Sequence, residues 1–431
     1  MSRLLSNIIY LIGERFLLLL INLVSNIIII RYLGVKDFGL LALFQVYYAL
    51  VISISEFGVR RVYSSLKSTR RESIVFLQTF KFKSAAAIFL GILICVLIKS
   101  FNLSNVYFLL LLAVLASPLE LYVYHFEANL ENAILVRLRL IINVSLSFLR
   151  IALCLLGADV FYIVATYAIN NIIINGFCFY LSKLKDFSFV SVKSRRANSI
   201  ISRHILDRSL FFWISMIIVQ VNMRTDQLML SAFTTVTAVG IYAGAYKLIE
   251  QLMSIPSVLA SVFLPYMSKA VNQNKKESLE NLYLYSILIT IPISVLLVII
   301  APYIIPLLLG NEFIKSVSVF QLLAIAFPFL VIANFSGLYY SMFMLEKLAI
   351  FRNTMGLVIS LVCNYFFIKI FGPVGAAISV IFSFFFIAFI AELLVPGARD
   401  NVYMKYRALL RIFKLSTYSN LLIYARNVKR Q

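Results

Sequence analysis

Residues Arg224–Lys269 read RTDQLMLSAFTTVTAVGIYAGAYKLIEQLMSIPSVLASVFLPYMSK. One apolar span carries Arg224 and Asp226. A short turn is expected through Gly240, and a second apolar span carries Lys247 and Glu250 and ends at Pro265. A charge inside such a span costs about 2.5–3.5 kcal/mol on insertion scales, so it is expected to face a cavity or a partner. An earlier stretch, Ile29–Ala42 (IIRYLGVKDFGLLA), has the same layout. In both, a span ends in a short turn and Gly-x-x-Ala opens the next, from Gly39 to Ala42 and from Gly240 to Ala243. The chain reads as two halves of one repeat.

Working outward, 62% of the 431 residues are hydrophobic and 13% are charged, and mean hydropathy is +0.96. Soluble domains run near about 45–50% apolar and about 25% charged. The expected class is an all-α polytopic membrane protein. A bilayer core takes about 20 apolar residues per helix, and on that basis roughly twelve spans are expected. The first six are Ile8–Ile30, Leu40–Phe57, Ser84–Ile98, Val106–Tyr124, Leu140–Leu156 and Val160–Leu181. The second six are Ser209–Phe233, Ile241–Leu264, Leu282–Ile305, Val319–Leu345, Thr354–Ile370 and Ala376–Val395. The first span is too long for a cleaved signal peptide and is expected to stay as an anchor. The expected organisation is a six-helix lobe over residues 1–181, a basic linker over 182–208, a second six-helix lobe over 209–395 and a basic tail over 396–431. The tail's apolar-basic pattern suits a membrane surface.

The net charge is +21. On a soluble protein that would suggest nucleic acid, but here the cations fall on alternate connections, as in a multi-pass protein that meets anionic lipids. One set of connections holds Arg60, Arg61, Lys81, Lys83, Arg137, Arg139, Lys183, Arg195, Arg196, Lys275, Lys276, Lys347 and Arg352. The other holds Arg31, Lys36, Lys99, Lys315 and Lys369. The asymmetry predicts both termini in the cytoplasm and short outward loops, such as Arg31–Phe38 and Thr234–Val239. Cys95, Cys154, Cys178 and Cys363 lie in apolar spans without metal or disulfide spacing, and His125 and His204 form no metal motif. No P-loop, HExxH or GxSxG is present. No cofactor, metal or catalytic site is expected.

The candidate chemistry lies in the charges and amides inside the spans. Four cations, Arg15, Arg150, Arg224 and Lys247, are candidates for holding an anionic substrate, with snorkelling the alternative for Arg150. Lys247 and Glu250 stand three apart on one helix and could neutralise each other. Arg224 and Asp226 stand two apart and point in different directions. Asp226 is the leading candidate for ion coupling, by a proton or Na+, with Glu120 and Glu250 behind it. Asn22, Asn26 and Asn222 are candidates for sugar contacts, and interhelical bonding is the alternative for every asparagine in a span.

Four segments carry a family resemblance: IIRYLGVKDFGLLALF from Ile29, Asp226 through AVGIYAGAYKL to LPYMSK, LLGNEF at Leu308–Phe313, and FGPVGAAISVI at Phe371–Ile381. In this order they resemble the Wzx-type polysaccharide and O-antigen flippases, within the multidrug/oligosaccharidyl-lipid/polysaccharide exporter superfamily. The resemblance implies two six-helix lobes around a cationic cavity that opens alternately to each side, with Arg15, Arg224 and Lys247 on spans suited to line it. It implies as substrate an undecaprenyl-pyrophosphate-linked oligosaccharide, carried across a bacterial inner membrane for O-antigen or capsule assembly, with a polysaccharide polymerase as a candidate partner. A multidrug exporter of the same fold, and a membrane glycan polymerase or ligase, are the alternatives. The short outward loops argue against the enzyme.

Overall fold

The computed structural model describes residues 2–60, 72–100, 104–129, 131–184, 195–268 and 272–412. Among the described residues all regular structure is helical. Helix α1 spans Ser2–Glu56. At 1.5 Å per residue its apolar part, Leu18–Glu56, would be about 58 Å long, nearly twice the hydrocarbon thickness. It is broken at Gly34, whose φ of 67° and ψ of −178° no helical residue adopts. A left-handed φ suits glycine, which has no Cβ to clash. The loop expected at Arg31–Phe38 is therefore a single-residue break, and α1 carries the first two expected spans.

The remaining helices follow in order. They are α2 (Glu72–Ser100), α3 (Leu109–Ala116), α4 (Glu120–Ala128), α5 (Asn132–Leu155), α6 (Val160–Leu184), α7 (Arg195–Phe233) and α8 (Val236–Ser268). After these come α9 (Asn272–Leu309), α10 (Ser316–Met342), α11 (Glu346–Phe371), α12 (Pro373–Phe385), α13 (Ala391–Leu394) and α14 (Arg399–Ile412). A 3₁₀ turn at Ser117–Leu119, which contains Pro118, joins α3 to α4. A π-turn at Phe386–Ile390 joins α12 to α13. Each expected span falls on one of these helices or helix pairs. The turn expected through Gly240 lies instead at Thr234–Thr235, and Gly240 is buried within α8. Threonine makes the turn here: Thr235 Oγ1 accepts from Ala238 N–H at 3.2 Å, capping the next helix.

The packing divides the chain into two units, Phe16–Arg224, and Met1–Arg15 with Thr225–Gln431. The boundary falls inside α7 and not in the linker expected at 182–208. Residues 185–194 of that linker lie outside the described residues, but its later part is already helical from Arg195. The lower part of α7 is tied to the first unit: Trp213 Nε1 donates to the Ile54 carbonyl at 3.0 Å and its ring stacks on Phe57.

In the first unit, α3 packs on α2 and α6, and α5 packs on α6. Its core gathers Val59, Phe76, Leu121, Phe126, Ile174 and Cys178. In the second unit, α10 is central, packed against α8, α9 and α12. Large apolar side chains such as Phe89, Ile92, Ile299 and Leu307 are exposed, as lipid-facing residues should be. The expected surface tail is partly a packed element. Its described part, α14, lies on α9 and buries Asn401, Met404, Lys405 and Ala408, whereas residues 413–431 lie outside the described residues.

At the start of α12 a Cβ on Gly375 would overlap the carbonyl carbon and oxygen of Phe367. Backbone cannot yield as a side chain can. Gly375→Ala is expected to destabilise the protein by about 1–3 kcal/mol, whereas Gly337→Ala, with nothing within 4 Å of the added carbon, is expected to be near neutral. Thermal unfolding of the detergent-solubilised protein, followed by loss of the monodisperse peak, measures both.

Candidate substrate and ion sites

The structure sorts the embedded charges by whether the protein neutralises them. In the first unit, the sequence predicts Lys83 as a connecting-segment cation just before the span at Ser84. It lies instead a turn or more inside α2 and is completely buried. Its Nζ lies 2.7 Å from Glu120 Oε2, and the Tyr124 hydroxyl donates to the same oxygen at 2.9 Å. Glu120, an ion-coupling candidate, is thus a structural counter-charge that α4 presents to α2. A lysine at a span's end looks like a snorkelling residue until a carboxylate 37 positions away is brought to it.

Arg150 differs. Snorkelling would have exposed it, but it is only 5% accessible. Its Nε donates to Thr166 Oγ1 at 2.9 Å, and its guanidinium carbon stands 3.8 Å from the centroid of the Tyr167 ring. The Tyr167 hydroxyl donates to Asn26 Oδ1 at 3.4 Å. Helices α1, α5 and α6 therefore bring two candidates, Arg150 and Asn26, to one tyrosine. Among the described residues no carboxylate pairs with Arg150. A cation–π contact and one hydroxyl stabilise a guanidinium but leave its charge standing. Asn22, Asn222 and Arg224 are partly buried. Arg15 lies on α1, with its side chain outside what the structure describes. Asn170 donates to Asn143 at 3.3 Å, the interhelical role weighed for the span asparagines.

In the second unit, Lys247 and Glu250 form an ion pair at 2.9 Å on one turn of α8. The mutual neutralisation weighed from their spacing is what the structure contains. Arg352, read as a connecting-segment cation, is buried within α11 and its Nη1 donates to Glu392 Oε1 at 3.0 Å. Lys405 reaches Glu392 Oε2 from α14 at 2.6 Å and also donates to the Ala388 carbonyl. Asn401 adds a third donor at 2.9 Å. Burial pulls the Lys405 pKa down to about 8 against the opposing pull of Glu392, so at pH 7 it remains mostly an ammonium.

Asp226 is the other exception. It is buried on α7, and its two partners are neutral: the Tyr242 hydroxyl at 2.9 Å from α8 and Asn364 Nδ2 at 3.0 Å from α11. Asn364 is fully buried and also donates to Ser360 Oγ at 3.2 Å. Its Oδ1 has no partner among the described residues. Asn364 was read only as a span asparagine of the interhelical kind. Its tie to a carboxylate 138 positions away has no sequence signal. Among the described residues no group of three or more metal-ligating side chains occurs.

Two helical units carrying charges within apolar spans make an all-helical, polytopic membrane fold. Solved structures that share it include the following three. They are a lipid II flippase MurJ in an inward closed conformation (TM-score 0.71, 14% identity, 94% of this chain and 92% of that one), and a MATE-family multidrug resistance transporter of the MOP superfamily in two states. Its inward-facing form gives a TM-score of 0.62 at 17% identity, and its outward-facing form 0.53 at 16%, each covering 90% of this chain and 96% of the other. A comparison with curated protein sequences gave no match. The model of the family described as "Polysaccharide biosynthesis protein" matches residues 28–318, and the chain belongs to that family.

The buried pairs make a quantitative test. Glu120→Ala leaves Lys83 as an uncompensated buried charge, and a loss of about 3–5 kcal/mol is expected. Lys83→Met combined with Glu120→Leu removes both charges and should restore most of that loss. A melting series on the two variants reads the difference.

Proposed function

We propose that this protein is a flippase that moves a lipid-linked oligosaccharide repeat unit, carried on undecaprenyl pyrophosphate, from the cytoplasmic to the opposite leaflet of a bacterial inner membrane. Arg150 is the observation that carries the reading. An arginine held in the apolar span with no counter-ion among the described residues suits an anion that arrives and leaves, and a pyrophosphate is such an anion. A phosphate group matches the planar guanidinium in geometry as well as charge. Family membership in polysaccharide biosynthesis and a fold shared with a lipid II flippase support a lipid-linked glycan as cargo. Asn26, joined to Arg150 through Tyr167, is a candidate sugar contact on the same helices, with Asn22, Asn222, Arg15 and Arg224 as further candidates. Lys247 is the weakest of the cations, since Glu250 already neutralises it.

Asp226 suits ion coupling. Desolvation among neutral donors favours a proton on a carboxylate or a cation beside it, while hydrogen bonds such as those from Tyr242 and Asn364 support the charged form. The unpartnered Asn364 oxygen is a ligand of the type Na+ prefers, and protonation of Asp226 would serve a proton-driven cycle equally. Binding the coupling ion would change which state of an alternating-access cycle is favoured, by as much as its affinity differs between states. The reading has no catalytic group and leaves polymerisation to a partner enzyme.

The direct test is the sidedness of lipid-linked oligosaccharide in a strain lacking the gene. Accumulation on the cytoplasmic leaflet with loss of surface polymer is expected. Accumulation on the outer leaflet would indicate a polymerase-like step, and normal polymer with raised drug sensitivity would indicate a drug exporter. In that strain Asp226→Asn is expected to lower surface polymer at least about tenfold while the protein accumulates normally, the scale of losing one coupling of about 1.4 kcal/mol.

A further inference from the structure

Helix α14 shows its two faces unequally. Asn401, Met404, Lys405 and Ala408 recur at helical spacing and are buried against the second unit. The opposite face carries Tyr403, Tyr406 and Leu410, exposed at 56%, 58% and 46%, flanked by the exposed Arg399 and Arg407. An amphipathic tail would ordinarily put its apolar side to lipid. Here the inner face is anchored by polar contacts, Lys405 and Asn401 to Glu392 and Asn401 to the Tyr283 hydroxyl at 2.8 Å. The outer face is therefore held in place by the protein, and it carries tyrosine, leucine and arginine, the residue types that favour a membrane–water interface.

Its depth follows from the chain. The span Pro373–Leu394 is 22 residues long, about 33 Å of helix, just enough to cross the hydrocarbon. Only residues 395–398 separate its end from α14, so Arg399 lies within about 18 Å of that end. That end is the one richer in cations by sequence. The neighbouring cleft of 460 Å³, lined by Lys276, Glu277, Glu280, Asp400, Tyr403, Met404 and Arg407, carries more acids than bases. It is therefore a poor seat for an anion. The acid nearest the outer face, Asp400, is already bridged by Lys276 at 2.7 Å.

We propose that the outer face of α14, formed by Arg399, Tyr403, Tyr406, Arg407 and Leu410, is a docking surface for the anionic lipid headgroups of the adjoining leaflet. The tyrosines and Leu410 enter the headgroup layer and the two arginines select for negative charge. The surface stands independently of the cargo.

The protein has one tryptophan, Trp213, so a reporter is readily placed. Full-length Trp213→Phe, Tyr406→Trp is reconstituted into vesicles of phosphatidylcholine with phosphatidylglycerol, one or the other brominated near the top of its acyl chains. Blue-shifted emission is expected, quenched at least about twofold more by brominated phosphatidylglycerol than by brominated phosphatidylcholine. Adding Arg399→Gln and Arg407→Gln should abolish the preference. Leu410→Trp in the same background reads the same face if the first variant folds poorly. Equal quenching by the two lipids would overturn the proposal, because the face would then meet lipid without reading its charge. Unquenched, red-shifted emission would overturn it as well, placing the face in water or against another protein.

Discussion

A charge taken into hydrocarbon must be neutralised, hydrated or removed, and this constraint orders the molecule. The desolvation penalty is several kcal/mol per ion even after relaxation. Lys83 meets it through Glu120, Lys247 through Glu250, and Arg352 and Lys405 together through Glu392. All but the Lys247–Glu250 pair join different helices, adding polar ties to apolar contact for which lipid competes on equal terms. Arg150 and Asp226 do not follow the rule. One is a cation in the first unit and the other an anion in the second, each supported by neutral groups. Among the described residues these two buried charges have no partner of opposite sign, which is why the proposed function assigns them to ions from outside the chain.

Much of the fold is legible in the sequence because membrane helices are selected by composition over about twenty residues. The twelve expected spans fall on helices for that reason. The break at Gly34 is less legible. The charged residues Arg31, Lys36 and Asp37 around it suggest a loop, whereas one glycine with a left-handed φ is enough to turn the chain. The division into units is also hidden, since the later part of the linker, from Arg195, already belongs to α7 and Trp213 binds that helix to the first unit.

The candidate sites are legible in part. Asp226 stands out because a lone carboxylate in an apolar run is rare. Its partners Tyr242 and Asn364 do not, because a tyrosine and an asparagine in a span are common and their meeting depends on how α8 and α11 pack on α7. Lys83 and Arg352 flank spans and so look like connecting-segment cations, and only the carboxylates 37 and 40 residues away reverse that reading. Arg150 was recognised as embedded, but its burial beneath Tyr167 follows from the packing of α6 on α5.

The central proposal is that Arg150, which has no carboxylate partner among the described residues, receives the pyrophosphate. It is tested most directly by measuring the affinity of purified protein for undecaprenyl pyrophosphate, for the native chain and for Arg150→Gln, with melting temperature monitored in parallel. The account predicts at least about a tenfold weaker affinity for the variant, the loss of one charge-assisted interaction of roughly 1.5–3 kcal/mol, with folding retained and partial recovery in Arg150→Lys. An unchanged affinity in a folded Arg150→Gln protein would contradict it and make Arg150 an element of helix packing alone.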